Sequence, residues 1–320
     1  MRLVSFSPKG AGSRALGAIG EGGILDLARA AAILDVGDPS PVASMEALLE
    51  DWDLGITMAR ETETRAYNAS ARTRGNLAAA IHAPDQIVFH PPVAHPPSLR
   101  DFYAFETHVR NARARRGLPV PPEWYELPVF YFSNPGSLVG HGEPVKKPAS
   151  TEALDYELEI ACVIRTRARD VGPEDWRSVV AGLTILNDWS ARDVQRKEMA
   201  VGLGPAKGKD FATSLGPALV TLDELEPARQ GDRYELEMEA RVNGQRLSRA
   251  NAADMHYTFG QMIARASQDV YLFPGDVIGS GTAGRGCLLE LGPEVHPWLE
   301  PGDEITLEVE RLGSLTNRIV

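Results

Sequence analysis

The sequence predicts an α+β protein, rich in β-structure, in which short strands carry the core and helices are interspersed. Three observations lead there. Apolar and polar residues alternate over short runs, most clearly from Tyr234 to Val242. Several runs end at turn residues, Asn243-Gly244 being the strongest hairpin signal, with Pro274-Gly275-Asp276 and Pro301-Gly302-Asp303 as further turns. The regular strand–helix alternation of a doubly wound parallel sheet is missing.

Taken in order, Met1 to Phe6, Ala15 to Ile19 and Ile24 to Leu27 read as short strands, the last two joined by a Gly20-Glu21-Gly22-Gly23 turn. Gly10-Ala11-Gly12 is not followed by the helix that a phosphate-binding loop needs. Ala28 to Leu34 and Met45 to Tyr67 suggest two helices, so residues 1–80 form a small N-terminal α/β domain. Residues 81–98, with Pro84, Pro91, Pro92, Pro96 and Pro97, are expected to be a linker. His82, His90 and His95 in it fit no metal-site spacing.

The larger domain spans 99–320. Asp101 reads as a helix N-cap ahead of the run to His108. The basic run Arg110, Arg113, Arg115 and Arg116 reads as a solvated face. Tyr234 to Leu247 is a hairpin and Thr258 to Gln268 a helix; Val277 to Gly281, Cys287 to Leu291 and Ile305 to Arg311 are strands.

Composition narrows the function. The 320 residues are 43% hydrophobic and 24% charged, ordinary for a soluble globular protein with a substantial core. A net charge of −11 argues against a non-specific grip on nucleic acid or an anionic membrane. It leaves room for a small anionic substrate, because local Arg and Lys can dominate a pocket. Cys162 and Cys287 both sit in apolar runs and are expected as buried free thiols. No signal-like segment or long apolar span occurs, so the cytoplasm is the expected compartment.

The chemistry concentrates between Leu154 and Phe211. Glu157 and Glu159 alternate with Leu158 and Ile160, so in a strand they project the same way, about 6 to 7 Å apart. Two such carboxylates repel unless a cation or proton intervenes. Alternating charge of this kind also suits a solvated edge, but the following Ile160-Ala161-Cys162-Val163-Ile164 argues for a core strand. Asp188 ends a second apolar run, Val179 to Leu186. Three carboxylates without a Cys or His cluster beside them suit a hard divalent ion: Mg²⁺, Mn²⁺ or Ca²⁺.

The acidic Glu157-Leu158-Glu159 strand, Asn187-Asp188-Trp189-Ser190-Ala191-Arg192-Asp193-Val194-Gln195 and Gly208-Lys209-Asp210-Phe211 together resemble the fumarylacetoacetate hydrolase family. The likeness runs from about Ser98 to Val320 and extends to Gly279-Ser280-Gly281-Thr282. It implies a mixed β-roll catalytic domain, a homodimer, and a divalent cation held by Glu157, Glu159 and Asp188, with Asp101 as fourth carboxylate in the fumarylacetoacetase-like branch. That branch also implies a water-activating pair, His108 with Glu290 in a late strand. It also implies catalytic roles for Lys209 and Gln195, as positive or donor contacts to an enolate, substrate-binding positions for Arg192, Tyr103, Tyr131 and Thr282, and an outer contact at Thr213. The resemblance leaves open which of Arg110, Arg113, Arg115 and Arg116 meets substrate.

The implied reaction is metal-dependent hydrolysis of a carbon–carbon bond in a 1,3-diketo acid of fumarylacetoacetate, fumarylpyruvate or acylpyruvate type. It would run through an enolate and a water activated by His108. Decarboxylation, hydration or dehydration, and isomerisation of a 2-oxo acid are alternatives on the same platform. An inactive metal-binding member is the non-enzyme alternative.

Overall fold

The computed structural model describes residues 1–10 and 12–320, so Ala11 of the Gly10-Ala11-Gly12 run lies outside the described residues. Two sheets carry the structure. The larger has twelve strands, and its centre runs Arg2–Pro8, Thr213–Thr221, Val180–Asn187, Leu158–Ile164, Val277–Gly279, Leu99–Phe102 and Phe130–Ser133. Neighbours along this path are antiparallel except Val277–Gly279 with Leu99–Phe102, which is parallel. The second sheet orders Gln245–Asn251, Glu237–Val242, Glu304–Val309, Gly313–Ile319 and Pro144–Val145. This is the mixed, β-rich architecture the alternation predicts.

The central strand shows why its sequence is apolar at all but one position. Every residue of Leu158–Ile164 is buried. Ile160, Cys162 and Ile164 enter the apolar cluster that also holds the second sheet, through residues such as Leu307 and Leu315. Ala161 and Val163 enter the opposite cluster, with Leu27, Leu48 and Ile56 of the N-terminal helices. A strand covered on both faces has no polar side to show. Glu159 is the exception, and it is fully buried.

The N-terminal strands Arg2–Pro8, Ala15–Gly20 and Gly23–Asp26 do not form a sheet of their own. Leu3 pairs with Leu219 and Val4 with Ala218, so the large sheet continues across the expected boundary. Residues 81–98 likewise join it, Ile81–His82 pairing with Gly23–Asp26 and Ile87–His90 with Arg2–Pro8. A proline-rich composition therefore marks edge strands and turns here rather than a separating tether.

The expected helix from Met45 to Tyr67 is two helices, Met45–Glu50 and Trp52–Tyr67. Asp51 ends the first and its carboxylate accepts the Leu54 N–H at 3.2 Å to start the second. A further helix, Ala71–Leu77, is capped by Ser70. Thr258 and Gln261 form a reciprocal capping box on Phe259–Ser267. Asn243 and Gly244 both have positive φ (50° and 79°), the primed turn that their sequence favours. Two expectations fail. Asp101 is not a helix cap but lies in Leu99–Phe102, and the helix Glu106–Ala114 starts at Phe105 with no side-chain cap. Cys287 to Leu291 is not a strand: Leu288–Leu291 is a single helical turn. Both cysteines are buried and free, and among the described residues no helix is long and apolar enough to cross a membrane.

Candidate active site

The strand ends bring the acidic residues together. Leu158 pairs with Asn187, which places Glu157 and Asp188 side by side just beyond the paired residues. The Asn187 side chain fixes this corner by accepting the Glu157 N–H at 2.9 Å. Asp101 arrives from a third strand, opposite Gly279. A Cβ at 279 would stand 2.3 Å from Asp101 Oδ1, and one at Gly281 would stand 2.4 Å from the Phe102 carbonyl oxygen. Glycine at 279 therefore makes room for the carboxylate and glycine at 281 for the neighbouring backbone, and the Gly281 N–H donates to Asp101 Oδ1 at 3.1 Å. That is the local reason for the Gly279-Ser280-Gly281 pattern.

Oxygen atoms of Asp101, Glu157 and Asp188 lie within 4.8 Å of one another, all in buried residues. Glu159 stands outside that group. It accepts from the Thr282 hydroxyl at 3.2 Å, and its carboxyl is raised well above the ordinary range by burial first and then by the charges of Asp101 and Glu157. Asp101 is raised for the same reasons, burial and then Asp188, and Asp188 is raised by burial. Glu157 is the opposite case: burial opposes its charge, but Lys209 and Arg192 outweigh burial and hold it well below the usual value.

Two buried cations organise this cluster. Lys209 donates to Asp188 Oδ2 at 2.5 Å and to Glu157 Oε2. It is delivered by a loop whose Ala206, Lys207 and Gly208 N–H groups all bond to the Glu198 carboxylate. Gly208 lies so close to Gln195 that a Cβ would meet its backbone at 2.9 Å. Arg192, 4% exposed, donates to Glu157 Oε1 at 2.8 Å, to Asp155 Oδ2 at 2.7 Å and to Gln195 Oε1 at 3.2 Å. All three of those bonds hold groups of the protein itself. Tyr131 donates its hydroxyl to Asp188 Oδ2, and Thr213 lies 3.4 Å from the Ser133 hydroxyl.

Five buried carboxylates, counting Asp155, thus face two buried cations. Among the described residues, Glu159 Oε2 and Asp188 Oδ1 have no hydrogen-bond partner. Buried carboxylate oxygens left without partners are costly, and an all-oxygen donor set with excess negative charge fits a hard divalent ion.

His108 and Glu290 meet as the resemblance implies. His108 Nδ1 lies 2.8 Å from Glu290 Oε2. The other oxygen of Glu290 accepts from Asn111 Nδ2 at 3.1 Å and from the Arg285 N–H at 3.0 Å. Burial opposes ionising Glu290, yet the bond and charge of His108 hold it below its ordinary value. An ionised Glu290 keeps the hydrogen on Nδ1 and the lone pair on Nε2, the arrangement of a general base. Tyr103 sits edge-on to the imidazole at 5.3 Å between ring centres, and burial pushes its hydroxyl up to about 12.

The arginine run sorts itself by partner. Arg110 lies 3.8 Å from Glu106, and Arg113 donates to the Pro119 carbonyl. Arg115 donates to the carbonyls of Glu290 and Leu291 and to Glu294. Arg116 makes no ion pair among the described residues, and its charge reaches the Tyr103 hydroxyl.

Asp155 is the residue that sequence reasoning missed. Fully buried, it accepts from the Leu288 N–H at 2.8 Å and the Leu289 N–H at 3.0 Å as well as from Arg192. It therefore ties the turn that carries Glu290 to the guanidinium that steadies Glu157. The signal was present: Asp155 shares the parity of Glu157 and Glu159 in the same acidic run. Asn111 and the Arg285 N–H had no such signal, because their role depends on a contact across the fold.

Residues 98–320 match the family described as fumarylacetoacetate (FAA) hydrolase C-terminal. The oxaloacetate tautomerase fahd2, mitochondrial, of Xenopus laevis is 30% identical over 325 residues, covering 100% of this chain and 90% of that protein. The crystal structure of a putative HpcE protein from Mycobacterium smegmatis superposes with a TM-score of 0.72 at 26% identity, covering 100% of both chains. Maleylpyruvate hydrolase from Sphingobium sp. SYK-6, in complex with manganese(II) ion and pyruvate, shares the fold at a TM-score of 0.67 and 24% identity, covering 100% of this chain and 99% of that one.

Proposed function

The chain belongs to the fumarylacetoacetate hydrolase family, and from that premise we propose that it is a divalent-metal-dependent hydrolase that cleaves a carbon–carbon bond in a small 1,3-diketo acid. The observation that carries this reading is the His108–Glu290 pair at 2.8 Å, because hydrolysis needs a base for water and cation storage does not.

Asp101, Glu157, Glu159 and Asp188 would hold the cation, Mg²⁺ or Mn²⁺ with Ca²⁺ as a third option, their two unpartnered oxygens supporting the assignment. When bound, the ion supplies Lewis-acid polarisation and a template for the substrate's oxygen atoms. His108 Nε2 takes a proton from water as the water oxygen attacks one carbonyl carbon. Glu290 stabilises the imidazolium so formed. The bond between that carbon and the central carbon then breaks, its electron pair leaving on the central carbon as an enolate. Lys209 Nζ offers positive charge to the enolate oxygen, and His108 returns its proton to the carbon. The products are a carboxylic acid and a ketone, and one water is consumed.

Arg192 is best read as the support of Glu157, given its three internal bonds. Arg116, with Tyr103 near it, is the member of the basic run left for a substrate carboxylate.

A second reading is keto–enol tautomerisation of a 2-oxo dicarboxylate, favoured by the name of the Xenopus laevis relative. There His108 would move a proton between carbon and oxygen and no water would be consumed. The test is turnover by metal-stripped protein, with Mg²⁺ or Mn²⁺ restored, on fumarylacetoacetate, fumarylpyruvate, short acylpyruvates and oxaloacetate, with fragments identified by mass and keto–enol interconversion followed by ultraviolet absorbance. Metal-dependent release of two fragments supports hydrolysis. Interconversion of oxaloacetate forms with no fragment removes hydrolysis in favour of the second reading.

A further inference from the structure

Beside the proposed base lies a group that the hydrolytic reading does not use. Cys287 Sγ is 3.7 Å from Glu290 Oε2, the same oxygen that faces His108 Nδ1 at 2.8 Å. Ligand atoms of His108, Cys287 and Glu290 all lie within 4.8 Å of one another. We propose that these three residues form a second cation site, selective for a soft divalent ion such as Zn²⁺ or Cd²⁺, whose occupation switches the enzyme off by capturing its base.

The geometry matches the ion. A tetrahedral zinc at ordinary bond lengths holds sulfur and carboxylate oxygen about 3.6 Å apart and nitrogen and oxygen about 3.4 Å apart. The sulfur–oxygen separation is already there. The nitrogen–oxygen pair must open by roughly 0.6 Å, as happens when an ion replaces the hydrogen between the two atoms. Glu290 also lines a cavity of about 360 Å³ together with Asn111, Arg115 and Arg285. Glu290 keeps its outer support, since Asn111 and the Arg285 N–H bond to Oε1 and leave Oε2 for the ion.

Ligand softness separates the two sites. Mg²⁺ prefers the all-oxygen cluster of Asp101, Glu157 and Asp188, whereas an imidazole–thiolate–carboxylate set selects Zn²⁺ or Cd²⁺. Burial, and after it the charge of Asp155, pushes the Cys287 thiol well up, so the sulfur keeps its proton until a cation displaces it. Binding thus releases one proton from sulfur, moves the ring hydrogen of His108 from Nδ1 to Nε2, and consumes no other reactant. The loss of activity rests on the reading of His108 as the base; the binding does not.

The experiment uses the full chain with saturating Mg²⁺. Cd²⁺ is titrated in and followed by its thiolate charge-transfer absorbance, and Zn²⁺ is titrated against turnover of the best substrate. The expected result is one equivalent of cadmium–thiolate absorbance, retained in Cys162→Ala and lost in Cys287→Ser. Zn²⁺ should inhibit the parent, and Cys287→Ser should raise the half-inhibiting concentration more than about tenfold, as loss of a ligand requires. Cys287→Ala gives the same comparison if the serine variant fails to fold. No thiolate band, a band that persists without Cys287, or equal inhibition of parent and Cys287→Ser would overturn the proposal. A band with undiminished turnover would overturn the switch and, with it, the role given to His108, while leaving the binding measurement intact.

Discussion

Replacing Glu290 by Gln tests the proposed mechanism at a single atom. The substitution keeps the side chain's shape, and the surroundings decide which way the new amide faces. Asn111 Nδ2 and the Arg285 N–H both donate to the Oε1 position, at 3.1 and 3.0 Å, so the amide oxygen must stay there. The NH₂ group then occupies the Oε2 position, 2.8 Å from His108 Nδ1, and donates to it. Nδ1 becomes an acceptor, the imidazole hydrogen moves to Nε2, and the lone pair that would take a proton from water is gone. General-base catalysis contributes about 10²–10⁴ in rate, and the same tautomer exchange in the serine-protease triad costs about 10⁴. Glu290→Gln should therefore lose about 10²–10⁴ in kcat, roughly 3–5.5 kcal/mol of barrier, with little change in metal affinity. The assay is steady-state turnover at saturating metal, with metal binding measured separately by calorimetry. A variant that keeps more than about a third of the parent kcat refutes the assignment of His108 as base and of Glu290 as its orienter.

Three further outcomes follow from the site's electrostatics. Asp101 and Glu159 have raised values in the fold, so without metal the folded chain binds more protons than the unfolded one just above the ordinary carboxylate range. The stability from those protons is present below the unfolded values and lost as pH rises through the folded ones. A cation replaces the protons, so its gain in melting temperature should be small near pH 5 and larger near pH 8. At a hundredfold excess over Kd the gain is about 2.7 kcal/mol, on the order of 4 °C for a chain of this length; calorimetry showing a pH-independent gain would remove the proton–metal exchange. Arg192→Met takes from Asp155 its buried cation and from Glu157 one of its two, Lys209 remaining, and should cost about 3–5 kcal/mol, read from the urea midpoint at unchanged slope; a loss below about 1 kcal/mol would show the pairs to be dispensable. Arg116→Ala should raise KM for the best substrate by about tenfold or more with kcat little changed, and an unaltered KM would return the substrate carboxylate to another residue.

Much of the site could be read from the sequence because its residues lie in short, distinctive runs. Glu157, Glu159 and Asp188 announce themselves as charges attached to apolar strands, and the structure buries all three. Asp101, His108 and Glu290 could be placed only through the resemblance, and the local structure of Asp101 and Glu290 was misjudged. Asp101 looked like a cap because a short polar residue before a helical run usually is one; its true setting depends on a parallel pairing with residues nearly 180 positions away. Glu290 looked like a strand residue because Leu-Leu-Glu-Leu carries no period long enough to separate a strand from one helical turn. The linker reading of 81–98 failed for a related reason. Proline is disfavoured within strands but tolerated in the turns between them, and Ile87–His90 forms a strand between Pro84 and Pro91.

Asp155 has a consequence for how such a centre tolerates strain and change. Its two oxygens clamp the turn that bears Glu290 and the guanidinium that braces Glu157, so both groups take their position from one carboxylate. A shift of that strand end would displace the acidic cluster and the His108–Glu290 pair together, as a common-mode error that changes the distance between them little. Rearrangements elsewhere in the barrel-less double sheet can then accumulate without detuning the reacting atoms. An engineer who transplants His108 and Glu290 onto the acidic platform of another scaffold must carry this shared datum point with them, or the two halves will drift independently.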